Sequence, residues 1–167
     1  MKTTRFIFAA LALLWVAFAS YVSLTAVRLP ERVATHFGAN GAPNGWMTRA
    51  EHVRFTLLFG ALIPAFIVGL FSWIRSRNGR GLNIPHKDYW LAAERRQGTF
   101  DFLQQQGFLF AGMFIGFLAA IHHTILAANA RQPISMVHDA AWIDGVFPVA
   151  MFAWLAVFIA RFYRKVA

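Results

Sequence analysis

Residues 108–128 read FLFAGMFIGFLAAIHHTILAA, and His122 and His123 are the only ionisable side chains in this run. A helix needs about 20 apolar residues to cross a hydrocarbon core of about 30 Å. Lipid offers no hydrogen-bond partners, so the backbone of such a run satisfies itself as a helix. The stretch therefore predicts a membrane-spanning helix.

Three other runs have the same character. Residues 6–27 and 55–74 carry no charge, and residues 142–160 carry only Asp144. No segment shows the alternation typical of a membrane β-barrel. The sequence thus predicts an all-α integral membrane bundle of four transmembrane helices, in a single domain spanning residues 1–167. Pro64 and Pro148 fall inside two of these helices and predict kinks or local breaks there.

The first run also has an interpretation as a signal peptide. Lys2 and Arg5 precede it, and Ala17-Phe18-Ala19 offers a small-x-small cleavage pattern. The apolar run is longer than the 7–15 residues of a signal-peptide core, which favours a retained helix.

Composition excludes several classes of protein. Hydrophobic residues make up 58% of the chain, above the roughly 45–50% of soluble domains, and only seven residues are acidic. The net charge is +9, but the bases flank apolar runs, as in membrane anchoring rather than nucleic-acid binding. Cysteine is absent, so disulfides and thiolate metal sites are excluded.

The distribution of basic residues predicts the orientation. Eleven of the sixteen Lys and Arg residues lie in the N-terminal tail, the 75–107 loop and the C-terminal tail. Cytoplasmic loops of membrane proteins are enriched in such residues. Both termini and the 75–107 loop are therefore expected in the cytoplasm, and the 28–54 loop outside.

The two long loops differ in composition. The outer loop is expected to be ordered by tight turns, because it is rich in turn formers: Gly38, Asn40, Gly41, Pro43, Asn44 and Gly45. The cytoplasmic loop contains an amphipathic stretch, 88–106, which predicts a short interfacial helix. Its apolar side chains (Trp90, Leu91, Phe102) would enter the headgroup region, and its bases (Lys87, Arg95, Arg96) would face phosphates.

Two stretches carry a family resemblance: residues 29–46 read LPERVATHFGANGAPNGW, and residues 83–96 read NIPHKDYWLAAERR. The first resembles the signature of an unknown-function domain of bacterial membrane proteins, also found at the N-terminus of SdpI-like immunity proteins, which protect cells against a secreted toxic peptide. The resemblance implies a protein of the bacterial cytoplasmic (inner) membrane. It also implies an outer-loop motif of Pro30, His36, Phe37, Asn40, Gly41, Gly45 and Trp46. The immunity proteins carry a longer additional membrane domain, from which this chain departs.

Five of the six histidines fall in or near the outer half: His36, His52, His122, His123 and His138. His122, His123 and Asp144 lie at similar predicted depths, so the geometry permits a His–Asp contact inside the membrane. His123 shares a helix face with Gly112 and Gly116, whose spacing is typical of close helix packing and of oligomer contacts. His123, rather than His122, is therefore expected to face a neighbouring helix.

Three interpretations of this cluster remain open. It is a structural polar network, a pH-responsive or proton-relay element, or a site for Zn, Cu or Ni. The candidate metal ligands are His36, His52, His122, His123, His138, Asp139 and Asp144. No cofactor other than such a divalent metal is expected.

The sequence contains no nucleophile–base pair or paired carboxylates, so no catalytic residue is assigned. The leading hypothesis is a non-enzymatic sensor or resistance (immunity) protein whose outer loop meets an extracellular ligand or peptide. The second hypothesis is an accessory subunit or small transporter that uses the His/Asp cluster. The expected partners are the lipid bilayer and a protein or peptide, not nucleic acid.

Overall fold

The computed structural model describes residues 2–136 and 141–163, with side chains described for 6–136 and 145–163. The described residues form five α-helices and one hairpin: α1 (Lys2–Thr25), β1 (Arg32–Phe37), β2 (Pro43–Thr48), α2 (Arg49–Ser76), α3 (Lys87–Trp90), α4 (Arg96–Asn129) and α5 (Ala141–Tyr163). Among the described residues, α1, α2, α4 and α5 are long and apolar enough to span a membrane. The predicted all-α membrane bundle is confirmed, with a small two-stranded sheet added to it.

Two helices extend well beyond their apolar runs. Helix α2 begins at Arg49 because Thr48 and Glu51 form a capping box: the Thr48 hydroxyl accepts from Glu51 N, and Glu51 Oε2 accepts from Thr48 N at 2.8 Å. Helix α4 begins at Arg96, and its polar first turns continue directly into the apolar run. Hydropathy marks the membrane-embedded part of a helix, whereas helix ends depend on capping and on polar turns outside the lipid.

Helix α4 is the centre of the bundle. One core cluster joins Phe18 and Val22 of α1 to Ile115 and Leu118 of α4. Others join α4 to Val68 of α2 and to Phe162 of α5. A second contact of α5 with α4 stacks Phe147 on Phe117, with ring centroids 3.9 Å apart. Every spanning helix therefore packs against α4.

The 28–54 loop is ordered, as predicted, but it forms a β-hairpin that was not predicted from the sequence. Strands β1 and β2 are antiparallel and pair Val33 with Met47 and Ala34 with Trp46. The hairpin lies at the end of the bundle where α1 ends and α2 begins, and we call this the hairpin end.

The amphipathic stretch 88–106 does not form one separate helix. Helix α3 ends at Trp90, and residues 96–106 belong to α4. The Trp90 and Phe102 rings pack on Phe162, with centroids 5.5 and 5.9 Å from it. The two rings thus have an apolar protein partner at the end of α5, and their position at the headgroup level stays a prediction.

Two further expectations about the helices need correction. Helices α2 and α5 continue through Pro64 and Pro148, so the predicted local breaks do not occur, while the predicted kinks stay a prediction. Within the described chain, a Cβ built on Gly116 meets nothing within 4 Å and one on Gly112 meets only Leu14 at 3.8 Å. The close helix approach predicted at this pair therefore does not occur inside the described bundle.

The close approaches are found at other glycines. A Cβ on Gly60 would lie 2.4 Å from Phe18, and one on Gly107 would lie 2.7 Å from Phe71. Phe18 belongs to α1 and Phe71 to α2, so these two glycines set the α1–α2 and α2–α4 contacts.

Candidate functional site

The outer-loop motif forms the hairpin turn and one side of the hairpin. Gly41 N donates to Gly38 O at 2.8 Å, and Gly41 has φ +74°, a conformation that favours glycine. The Asn40 side chain accepts from Ala42 N at 3.1 Å, which fixes the same turn. Asn40 and Gly41 are thus turn-forming residues.

Gly45 and His36 face each other across the hairpin. A Cβ on Gly45 would lie 2.8 Å from the His36 Cβ, so glycine is required for the two strands to approach. The His36 ring forms a short hydrogen bond to the Asn44 side chain through Nδ1. The predicted motif residue His36 is therefore positioned by its own hairpin and remains exposed.

Trp46 lies on the exposed side of the hairpin. Its side chain is 39% exposed, and the Arg32 guanidinium lies 5.1 Å from its ring centroid. Of the other motif residues, Pro30 is exposed, and Phe37 is half-buried opposite Pro43. The motif residues Trp46 and His36, together with the neighbouring Arg32, thus present an aromatic ring, an imidazole and a guanidinium at the protein surface.

Asn129 attaches the hairpin to the bundle. Its Oδ1 accepts from Ala34 N at 2.9 Å, and its Nδ2 donates to Ala34 O at 2.9 Å. Nδ2 also donates to Ile125 O of its own helix at 2.9 Å. Because the N–H and the C=O of Ala34 both bond to Asn129, the end of α4 covers the edge of β1 that does not pair with β2. Asn129 was not among the site residues predicted from the sequence.

Apolar contacts support the same attachment. Leu29 and Val33 are buried against Ile125 of α4. Met136 N donates to Gly41 O at 3.1 Å and so ties the turn to the segment after α4. The hairpin is therefore fixed to the bundle at both its base and its turn.

A buried chain of three polar side chains lies beneath the hairpin. His52 Nε2 is 3.0 Å from His122 Nδ1, and His122 Nε2 is 2.8 Å from Thr25 Oγ1. The imidazole planes are 10° apart, and the two histidines are only 3% and 0% exposed. The chain therefore joins α2, α4 and α1.

The hydroxyl of Thr25 sets the direction of this chain. It donates its single hydrogen to Tyr21 O at 2.6 Å, so it accepts from Nε2–H of His122. Nδ1 of His122 then carries the lone pair and accepts from Nε2–H of His52. A proton added to Nδ1 of His122 would turn this acceptor into a donor, and the contact with His52 would then require His52 to present an unprotonated Nε2.

The expectation for the two adjacent histidines of α4 was wrong. His122 faces the bundle, whereas His123 is exposed and lies 3.1 Å from the Tyr21 hydroxyl through Nδ1. The missed signal is a heptad-like stripe of buried residues on α4: Gln104, Phe108, Ala111, Ile115, Leu118, His122, Ile125 and Asn129. This spacing identifies His122 as inward-facing. The stripe begins and ends with a polar residue, Gln104 and Asn129.

The histidines at the hairpin end do not converge on one point. His36 contacts Asn44, His52 contacts His122, and His123 contacts Tyr21. Across the described part of the chain, no three His, Asp or Glu side chains are placed to share a metal ion. His138 and Asp139 lie outside the described residues, as does the side chain of Asp144, so the predicted His–Asp contact lies outside them too.

Comparison with known proteins gives one match. A family model described as a domain of unknown function (DUF1648) matches residues 6–67. This region contains most of α1, the hairpin and the first two-thirds of α2. No curated protein and no solved structure matches the chain. The chain is thus a multi-pass membrane protein whose N-terminal region is similar to a domain of unknown function.

Proposed function

We propose that this chain is a non-enzymatic membrane protein of the sensing or resistance (immunity) type, with the hairpin as the element that receives an extracellular ligand or peptide. The observation that carries this proposal is the attachment of the hairpin through Asn129. Asn129 holds the β1 edge and sits on the helix that carries His122. Seven residues separate the two, or about 10 Å along the helix axis.

The exposed side of the hairpin supplies the binding groups. Trp46 with Arg32 offers an aromatic surface and a cation, and His36 offers a titratable hydrogen-bonding ring nearby. Aromatic and arginine side chains dominate the energetics of protein recognition surfaces. These groups suit a peptide that has both apolar and acidic side chains.

The interior supplies a means of responding. A ligand that moves β1 must break the two Ala34–Asn129 hydrogen bonds or move the end of α4 with the strand. Movement of α4 changes the His52–His122 and His122–Thr25 contacts, which join three helices. Ligand binding to the hairpin and the packing of the helices are thereby linked.

The proposal includes an orientation. The excess of Lys and Arg at the opposite end of the bundle supports cytoplasmic termini and an outward hairpin in the bacterial inner membrane.

A protection assay tests the proposal. The chain is expressed in a sensitive indicator bacterium, which is challenged with a panel of secreted membrane-active peptides. We expect survival above the empty-vector level for at least one peptide, and loss of that protection in Trp46→Ala and His36→Ala. Leu62→Ala is the matched control, because Leu62 is 60% exposed on α2 away from the hairpin.

Membrane levels of each variant are measured by immunoblot, so that loss of protection is separated from loss of protein. Full protection by both hairpin variants would remove the hairpin from the proposed function. Absence of protection by the wild type against every peptide would reject the resistance role.

The buried chain of His52, His122 and Thr25 favours a second candidate function, an accessory subunit or small transporter, because ionisable groups within membrane helices are usually functional or paired. Elemental analysis of protein purified without chelators, and of a His122→Gln variant, tests its metal-binding form. Near-stoichiometric Zn, Cu or Ni that disappears in the variant is expected for a metal-dependent subunit. Stable co-purification with a larger complex would favour a subunit over a sensor.

A further inference from the structure

A cavity of about 500 Å³ lies at the start of α2. It is lined by Glu31, Thr48, Arg49, Ala50, Val53 and Arg54. The uncharged run of α2 begins at Phe55, directly after these residues. The cavity therefore lies at the level where the hydrocarbon core gives way to the polar headgroups.

The charges in this cavity are unmatched. Arg49 N donates to Glu31 O at 2.9 Å, which holds the two backbones together, yet their side chains form no ion pair in the described structure. Nε of Arg49 is buried without a hydrogen-bond partner. A buried donor without an acceptor is destabilising, and no residue of the described chain supplies an acceptor to this Arg49 nitrogen.

The neighbouring acid does not supply that acceptor. Glu51 is engaged with the Thr48 hydroxyl and amide in the capping box, with both distances to Oε2 at 2.8 Å. Arg54 directs its Nε to Ala50 O at 3.2 Å, which leaves its terminal nitrogens available. Two guanidinium groups and one separate carboxylate, Glu31, thus border a single space.

This arrangement has the charge pattern of a zwitterionic ligand. Guanidinium groups and a helix N-terminus favour a phosphate group, and a carboxylate favours a primary ammonium group that can donate hydrogen bonds to it. Phe55 and Leu58 are 45% and 56% exposed on the same helix, just beyond the cavity. They provide an apolar surface for acyl chains.

We propose that this cavity binds the headgroup of phosphatidylethanolamine, with the phosphate on Arg49 and Arg54 and the ammonium on Glu31. The inference rests on the cavity alone and is independent of the function proposed for the hairpin.

Native mass spectrometry of the detergent-purified full chain tests this inference. The protein is titrated with phosphatidylethanolamine, phosphatidylcholine and phosphatidylglycerol that carry the same acyl chains. We expect a preference of about tenfold for phosphatidylethanolamine, since charge-assisted hydrogen bonds contribute at this level. The trimethylammonium of phosphatidylcholine cannot donate to Glu31, and phosphatidylglycerol has no ammonium.

Three variants test which side chains contact the phosphate and the ammonium of the lipid headgroup. Arg49→Gln should weaken binding of phosphatidylethanolamine about tenfold or more. Glu31→Gln should abolish the preference over phosphatidylglycerol while binding through the phosphate persists. Arg28→Gln is the matched control: it removes one positive charge at the same end, but Arg28 does not line the cavity.

Several results would overturn the inference. These are equal binding of the three lipids by the wild type, an equal loss in Arg28→Gln and Arg49→Gln, or an unchanged preference in Glu31→Gln. Because Glu31 is exposed and forms no ion pair in the described chain, Glu31→Gln should fold normally, which circular dichroism checks. Displacement of the lipid by micromolar free phosphoethanolamine would also overturn it, by indicating a soluble ligand.

Discussion

The polar residues on the inward stripe of α4 hydrogen-bond to α1, to α2 and to the hairpin. Gln104 Oε1 accepts from the Ser72 hydroxyl of α2 at 3.0 Å. His122 joins α1 to α2, and Asn129 holds β1. Apolar side chains tolerate sliding of one membrane helix past another, whereas a buried hydrogen bond exists in one register only. These three residues therefore fix how the helices and the hairpin are aligned.

The role of Thr25 gives a prediction at this scale. Thr25→Val keeps the shape of the side chain but removes the acceptor of Nε2–H of His122, so we expect the free energy of unfolding to fall by about 1–3 kcal/mol. Thermal unfolding in detergent measures the loss. Thr25→Ser keeps the hydroxyl and is the control. Equal stability of the Val and Ser variants would show that the bond to His122 contributes nothing.

Asn129 gives a second prediction. Asn129→Ala leaves the buried N–H and C=O of Ala34 without partners, and we expect a loss of about 2–3 kcal/mol together with faster amide exchange in β1. Hydrogen–deuterium exchange resolved to peptides covering residues 32–37 measures this effect. Asn83→Ala, at an exposed position at the opposite end, should leave that exchange unchanged. Unaltered β1 protection in Asn129→Ala would contradict the attachment described above.

At the scale of elements, glycines decide how closely the helices approach. Gly60 admits the Phe18 ring between α1 and α2, and Gly107 admits Phe71 between α2 and α4. The spacing Gly112-x-x-x-Gly116 has the stronger sequence signal, but a spacing pattern does not show which face of a helix meets a neighbour. Only the positions of bulky partners on other helices distinguish a packing glycine from an exposed one.

Paired substitutions test this distinction. Gly60→Ala should lower the free energy of unfolding by about 1–3 kcal/mol, because the buried Phe18 ring must shift. Gly116→Ala should raise it by about 0.5–1 kcal/mol, since nothing lies within 4 Å of the new Cβ and alanine has the higher helix propensity. Midpoints of thermal unfolding of the two variants should move in opposite directions. A shift of both in the same direction would contradict these glycine environments.

For the whole molecule, the two ends of the bundle differ in charge and in structure. The hairpin end carries the docked hairpin and the buried histidines. The opposite end carries the Arg75–Asp101 ion pair at 2.7 Å and the aromatic cluster around Phe162. The excess of basic residues at this second end gives the orientation prediction its physical basis.

The absence of cysteine makes that prediction directly testable. A single cysteine introduced at Asn40 in the hairpin turn should react with a membrane-impermeant maleimide in intact bacterial spheroplasts. A cysteine at Arg80, in the loop at the opposite end, should react only after the membrane is permeabilised. The reverse pattern would place the hairpin in the cytoplasm and reject an extracellular ligand.

The sequence by itself determined the four membrane helices, because runs of apolar residues without charge must satisfy their backbone as helices in lipid. It also located the ordered segment between the first two helices, through its turn formers. Helix ends at Arg49 and Arg96 were missed, since they depend on a capping box and on polar turns outside the apolar runs. The hairpin was missed because its strands are short and their burial comes from α4.

The tertiary structure alone decided the contacts of the candidate site. The heptad-like spacing on α4 favours His122 over His123 as the inward-facing residue, but the partners of His122 depend on where α1 and α2 lie around α4. The pairing of Asn129 with Ala34, and of His52 with His122, joins residues 95 and 70 positions apart. Local sequence patterns report periodicity within an element. Contacts between distant elements arise only when the elements pack together.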